Sequence, residues 1–292
     1  MTLLQAENLH VSFKNEEVLH DISFTMKQGN IYGLIGRNGA GKTTLLSVLA
    51  SYRQADSGKV LINGREPFEN EALMPKVAFL YETDYSDETE TGLVLLKLAA
   101  RYQEQFDLEY ATKLAAKLEL PLDKPVHKLS TGKQAALNVT LGLASRAPVT
   151  IFDEVYSGMD APTRDTFYKE LLDEQERHPR IIILSTHLVS EMDYLFDHVL
   201  MIHEGRMLLD EPVDALLERG FSVTGDHQRV EAFAAGRNVI SEQRLGGTKS
   251  VMIFEELTAA DTARAYEDSL DIGQVALQDL FIQLTGKGGQ AS

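Results

Sequence analysis

Apolar and polar positions follow two different periods along this chain of 292 residues. Four short runs are almost wholly apolar: Ile31-Tyr32-Gly33-Leu34-Ile35, Val77-Ala78-Phe79-Leu80-Tyr81, Val149-Thr150-Ile151-Phe152 and Ile181-Ile182-Ile183-Leu184-Ser185. Each reads as a buried strand, and the last is what a parallel sheet covered on both faces demands. Leu3 to Val11 and Ile22 to Met26 alternate as strands do, and the polar cluster Lys14-Asn15-Glu16-Glu17 predicts a hairpin between them. Lys59-Val60-Leu61-Ile62 is a short strand bracketed by Ser57-Gly58 and Asn63-Gly64. Helical spacing fills Leu45 to Leu49, then a long stretch from about Thr91 to Leu120. A helix runs from Ser130 to about Ala144, and another over residues 162–177 begins with Pro162. A hairpin around Glu204-Gly205, between Val199-Met201 and Arg206-Leu209, closes this region near Pro212.

The remainder, residues 213–292, has its own pattern of strand, helix, two strands and helix. Phe221-Ser222-Val223 is the first strand and residues 227–235 the helix. Val239 to Leu245 and Ser250 to Phe254 form a hairpin across Gly246-Gly247. Residues 259–270 are a second helix and 275–284 a terminal one, with a frayed tail at Gly286-Lys287-Gly288-Gly289-Gln290. No chemical motif is legible in this segment.

Composition narrows the classes. A hydrophobic content of 43% supports real cores. No apolar run approaches the ~20 residues of a membrane span, and the N-terminal residues lack the pattern of a signal peptide. The absence of cysteine excludes disulfides and thiol catalysis and argues against structural zinc. A formal net charge of −16, with no basic cluster, argues against a general affinity for nucleic acid or anionic membranes.

The densest chemical signal is Gly36-Arg37-Asn38-Gly39-Ala40-Gly41-Lys42-Thr43-Thr44, placed between a strand and a helix. In that context a glycine-rich loop turns successive N–H groups onto phosphates, and the helix N-terminus adds partial positive charge. Lys42 is expected to reach the β- and γ-phosphates and Thr43 to offer its hydroxyl to Mg²⁺. Downstream, an apolar strand ends in Asp153-Glu154, a carboxylate for Mg²⁺ followed by one to polarise water. Ser130 and Gly132, in Leu129-Ser130-Thr131-Gly132-Lys133-Gln134, open a helix. Taken alone, Ser130 there is as ordinary an N-cap as it is an anion donor, and the cap is the favoured reading. His187 follows a core strand where α/β folds place ligands, within reach of a γ-phosphate. His10, His20, His127, His178, His198, His203 and His227 show no metal spacing and read as surface or helper residues.

In these residues the chain resembles the ATP-binding subunit of an ABC transporter of the bacterial exporter type. The loop at 36–44 looks like the family's Walker A motif. Asp153-Glu154 resembles its Walker B aspartate and catalytic glutamate, and Leu129-Ser130-Thr131-Gly132-Lys133-Gln134 the LSGGQ signature. Ser157-Gly158-Met159-Asp160 looks like the D-loop, His187 like the switch histidine, and Phe13 falls where an aromatic ring stacks on adenine. The resemblance implies an α/β fold, a P-loop ABC ATPase domain over 1–212. Its mixed sheet carries an inserted helical subdomain at about 85–147, and a small α+β module occupies 213–292. It implies ATP and Mg²⁺, the latter held by Thr43, Asp153 and Glu82. It also implies head-to-tail dimers in which Ser130 and Gly132 of one subunit contact the γ-phosphate held by Lys42 of the other, which reverses the preference for Ser130 as a simple cap, and it counts Asp160 among the nucleotide-binding residues. The partners implied are an integral membrane permease and a second, identical or different, ATPase subunit, without nucleic acid. The location implied is cytoplasmic, peripheral on the inner face of the membrane.

The chain departs from the family pattern in places. Glu82 stands at the usual glutamine, Thr131 at a usual glycine, Lys133-Gln134 at the end of the signature, and Val155-Tyr156 at the common Pro-Thr. The rival reading is a soluble ABC ATPase acting on ribosomes or DNA. Such translation factors carry two ATPase domains and such repair proteins long coiled coils, and neither is seen here. The C-terminal module reads as a packing appendage, with a sensor or second dimer contact as alternatives.

Overall fold

The computed structural model describes residues 1–14 and 16–286. Asn15 of the predicted hairpin and Lys287 to Gln290 of the predicted frayed tail lie outside them.

Two strands, β1 (Leu3–Phe13) and β2 (Glu16–Lys27), pair antiparallel, and β4 (Ser57–Ile62) adds to β1 to make a three-stranded sheet in the order β2-β1-β4. The central sheet has six strands in the order β5 (Val77–Tyr81), β6 (Val149–Asp153), β7 (Ile181–Thr186), β3 (Ile31–Ile35), β8 (His198–His203) and β9 (Arg206–Pro212). All neighbours are parallel except β8 and β9, which form an antiparallel hairpin. Every residue of β3, β6 and β7 is buried, so their apolar runs follow from cover on both faces.

The run Val77 to Tyr81 is a strand, but not a buried one. It lies at the edge of the sheet, with only Ala78 buried. Its outward aromatics Phe79 and Tyr81 are not fully buried and meet Tyr52 edge-on, with ring centroids 5.3 and 6.1 Å away. An edge strand capped by aromatics has the composition of a core strand.

The phosphate-loop helix is α1 (Lys42–Leu49). The helical stretch predicted over Thr91 to Leu120 is two helices, α2 (Gly92–Tyr102) and α3 (Leu108–Lys117). The break falls at Asp107, whose carboxylate accepts from Tyr110 N at 2.8 Å and pairs with Arg146 at 3.0 Å. A short acidic side chain competes with the helical backbone and favours a cap. The next helices, α4 (Thr131–Ser145) and α5 (Ala161–Arg177), flank β6 in sequence.

Beyond β9 come α6 (Val213–Glu218), β10 (Gly220–Asp226), α7 (His227–Ala234), β11 (Val239–Leu245) and β12 (Thr248–Phe254). Then follow α8 (Ala259–Glu267), β13 (Asp271–Gln274) and α9 (Leu277–Leu284). The sequence pattern did not disclose α6 or β13. Strand β13, Asp-Ile-Gly-Gln, carries no alternation of its own and forms because β10 offers it an open edge. The resulting four-stranded sheet, β11-β12-β10-β13, has the split β-α-β arrangement of a ferredoxin-like unit. This unit has a separate core built on Phe221, Val223, Val230, Phe233, Val251 and Ile253. Helix α9 does not join it. Leu277, Leu280 and Phe281 bury into the core of the first region, beside Val189, Met192, Leu195 and Phe196.

Helix α4 passes so close to β6 that a methyl group on Gly142 would lie 2.4 Å from the Phe152 ring and 2.8 Å from Leu80 Cδ2. Alanine improves an exposed helical glycine by about 1 kcal/mol. Here overpacking, at about 1–3 kcal/mol, should win. Gly142→Ala is therefore expected to lower the urea midpoint, read by far-ultraviolet circular dichroism.

Candidate functional site

Parallel strands β3, β6 and β7 end on the same side of the sheet, and the phosphate loop, the Asp153-Glu154 pair and His187 lie at those ends. After β3 the chain turns through Gly36 to Gly41 into α1. A side chain at Gly36 would strike the Ile202 carbonyl oxygen at 2.7 Å, so only glycine lets the loop pass the sheet. Gly41, at φ +102, is the N-cap of α1 and offers no side-chain cap. The first-turn amides of α1 therefore point to the outside without a competing side chain, and no acidic residue sits in that turn. Asn38, Gly39, Gly41, Lys42, Thr43 and Thr44 line a cleft of about 380 Å³ together with Val18 and Glu154. An anion in that cleft meets backbone N–H groups and an ammonium.

Lys42 is only 6% exposed, and its Nζ donates to the Gly36 carbonyl at 2.8 Å. The same ammonium lies 3.4 Å from Glu154 Oε1. On the other side Glu154 Oε2 lies 3.0 Å from His187 Nδ1. Two residues far apart in sequence, Lys42 and His187, thus converge on one carboxylate. Glu154 reaches this position through a left-handed backbone, φ 51, which costs a non-glycine residue about 1–2 kcal/mol. Ser157 holds the turn, its N–H and hydroxyl donating to the Glu154 carbonyl at 3.1 and 2.7 Å. The strained turn lifts the carboxylate off the line of β6, where a water beside a bound anion can meet it.

Asp153 is buried at the end of β6 and accepts from the Ser185 hydroxyl of β7. Glu82 follows β5, whose Tyr81 is level with Asp153 in the sheet. Glu82 and Glu154 line one cleft of about 290 Å³ with Thr83, Thr131, Gln134 and Asn138. Asn138 of α4 holds the Glu82 segment, donating to the Tyr81 carbonyl at 3.3 Å and accepting from the Tyr85 hydroxyl at 2.5 Å. The oxygens of Thr43, Asp153 and Glu82 are hard donors that suit Mg²⁺. Among the described residues no group of three or more His, Asp or Glu gathers to hold a metal by itself. A cation there takes its remaining ligands from water and from phosphate oxygens, the usual habit of Mg²⁺.

Ser130 is the N-cap residue of α4 in conformation only. Its side chain makes no capping bond, so the simple-cap reading does not describe it. A methyl on Gly132 would lie 2.7 Å from the Gly158 carbonyl oxygen, which sets the start of α4 directly against the 157–159 turn. Among the described residues, no hydrogen bond or ion pair links Ser130 or Gly132 to the Lys42–Glu154–His187 cluster within one chain. Asp160 caps α5, accepting from Thr163 N at 3.0 Å. The Thr163 hydroxyl and amide hold its carboxyl below the ordinary range. Phe13 is 45% exposed at the end of β1, with the Arg53 guanidinium 3.8 Å from its ring centroid. Several other histidines have acidic partners, such as His10 with Glu17 at 2.7 Å and His198 with Asp210 at 2.6 Å.

The residue that sequence reasoning passed over is Tyr156, noted only as a departure. It is fully buried, stacks on Phe167, and donates its hydroxyl to the Ser185 carbonyl at 2.8 Å. It ties the turn after Glu154 to the strand that leads to His187. Burial also pushes its phenol pKa well up, so it stays a donor. Its ring packs against Phe167 and Tyr168 of α5, and no signal in the residues around it marked that contact.

A family profile described as "ABC transporter" matches residues 19–157. The chain is 31% identical over 218 residues to Nod factor export ATP-binding protein I of Burkholderia lata, covering 72% of this chain and 71% of that protein. It is 27% identical over 216 residues to ABC transporter ATP-binding protein YtrB of Bacillus subtilis, covering 74% of each. Among solved structures, an ATP-binding subunit of an ABC transporter matches with a TM-score of 0.63 at 23% identity, covering 73% of this chain and 91% of that one.

Tyr156→Phe removes one buried hydrogen bond while keeping the ring. A loss of about 1 kcal/mol is expected from equilibrium denaturation.

Proposed function

The chain belongs to the ATP-binding proteins of the ABC transporter family, and on that premise we propose that it is the energy-coupling subunit of an exporter whose permease is a separate chain. The family is one of nucleotide-binding ATPases. The observation that carries the residue assignment is the Glu154 carboxylate set between Lys42 and His187 beside the phosphate loop.

In this reading the amides of residues 38–44 and the Lys42 ammonium take the β- and γ-phosphates of ATP, and Phe13 takes the adenine face. Thr43, Asp153 and Glu82 hold Mg²⁺, which when bound offsets phosphate charge. Glu154 accepts a proton from water as its oxygen attacks the γ-phosphorus and the bond to the β–γ bridging oxygen breaks. His187 holds the γ-phosphate on the far side of that carboxylate. Ser130, Gly132 and Asp160 serve a second ATPase subunit, which accords with a Ser130 hydroxyl that makes no cap bond in its own chain. Closing on ATP and opening after hydrolysis follow from contacts that only the γ-phosphate makes.

No helix among the described residues is long and apolar enough to cross a membrane, and in this reading the spanning part is the permease. In the same reading the protein works at the inner membrane face, held there by that partner. Export as the direction rests on similarity to a Nod factor export protein. A net charge of −16 disfavours the rival targets, ribosomes and DNA.

Glu154→Gln is expected to lower kcat by about 10²–10⁴-fold while ATP still binds, checked by phosphate release and by fluorescent-nucleotide titration. With ATP it should accumulate as a dimer on size-exclusion chromatography, and adding Ser130→Ala should return it to monomer. Lys42→Ala should lose both binding and turnover. Tagged protein purified in mild detergent should bring down a multi-span membrane protein. Recovery of ribosomes or DNA without one would overturn the transporter reading and leave the ATPase standing.

A further inference from the structure

His187 stands at the start of an irregular segment, and one of the ties that hold that segment comes from the far end of the chain. Three ties fix it. The Leu188 amide donates to the Thr186 hydroxyl at 2.8 Å. Glu191 pairs with Arg164 of α5 at 3.0 Å. The Ser190 amide donates to Oε1 of Gln278, on α9, at 3.0 Å. Beneath these ties Val189 and Met192 are fully buried in the core that takes Leu277 and Leu280. At its other end α9 reaches the phosphate loop, where Arg37 Nη1 donates to the Thr285 carbonyl at 3.5 Å. One short helix thus meets both the segment that follows His187 and the loop that leads to Lys42, without contributing a group to the cluster.

We propose that Gln278 is a positioning residue for ATP hydrolysis, holding the 188–191 turn so that the His187 imidazole faces Glu154. The proposal rests on the ATPase reading above. Apolar burial of Leu277, Leu280 and Phe281 is enough to dock α9 and is indifferent to a few tenths of an ångström of sliding. The Gln278 bond is not, because it is directional and lands three residues from the imidazole. Helix α9 follows the ferredoxin-like unit directly, so this bond also gives that unit a mechanical route to His187.

The test uses the full-length chain with Gln278→Ala, Gln278→Glu and each in a His187→Ala background. Gln278→Ala should lower kcat by about ten- to a hundred-fold, the scale of a misplaced catalytic group. KM for ATP should stay within about two-fold, since the loop amides are untouched. Gln278→Glu, which keeps an acceptor, should recover most of the loss. In the His187→Ala background Gln278→Ala should cost nothing further, the non-additivity of residues acting through one another. A merely structural role would instead lower the thermal midpoint and add to the His187→Ala loss. The His187 ring signals in the NMR spectrum, assigned by their absence in His187→Ala, should move in Gln278→Ala and return in Gln278→Glu. Unmoved ring signals, or an undiminished kcat, overturn the proposal. A parent chain without ATP turnover overturns the ATPase reading instead, and the ring signals still decide the role of Gln278.

Discussion

Burial of the parallel sheet on both faces is the constraint on which the site depends. Strands β3, β6 and β7 lie side by side with no exposed residue among them, and parallel strands deliver their carboxyl ends to one edge. The phosphate loop, the Asp153-Glu154 pair and His187 leave from those ends. No chemistry in these residues would matter if one strand ran the other way. The apolar core therefore sets the functional geometry, and the polar residues are placed by it.

What the core does not set is where the glutamate points. A residue continuing β6 would stay in the line of the strand, and Glu154 turns out of it through a left-handed backbone. The strain of about 1–2 kcal/mol is offset by nearby ties, each of about 1 kcal/mol: the two bonds from Ser157 and the Tyr156 hydroxyl on Ser185. Lys42 adds a second constraint. Nearly buried, its ammonium needs the Gly36 carbonyl and the Glu154 carboxylate to replace lost water. Loop, carboxylate and imidazole are consequently one network, and moving one of them disturbs the others.

The helical region and the C-terminal unit bear on this network from opposite sides. Helix α4 carries Asn138, which holds the Glu82 segment, and at its start presses Gly132 on the Gly158 turn. Helix α9 carries Gln278 to the turn after His187. Both link a peripheral element to the site by directional hydrogen bonds laid over a broad apolar contact. Such a bond tunes position at little cost in stability.

Local pattern alone determined the strand runs, the glycine-rich loop before a helix, the acidic pair at a strand end and the histidine past another. Each depends on contiguous residues whose types answer a local need, such as φ freedom at Gly41 or cover on both faces of β7. The sequence could not disclose that β5 is an edge strand, because its apolar run meets an aromatic, Tyr52, from outside the sheet. Nor could it show β13, four residues that become a strand only when β10 lies beside them. The left-handed turn at Glu154, the Tyr156 tie and the return of α9 to the first core were equally out of reach. The last two join residues separated by long stretches of chain, and only tertiary packing sets those distances.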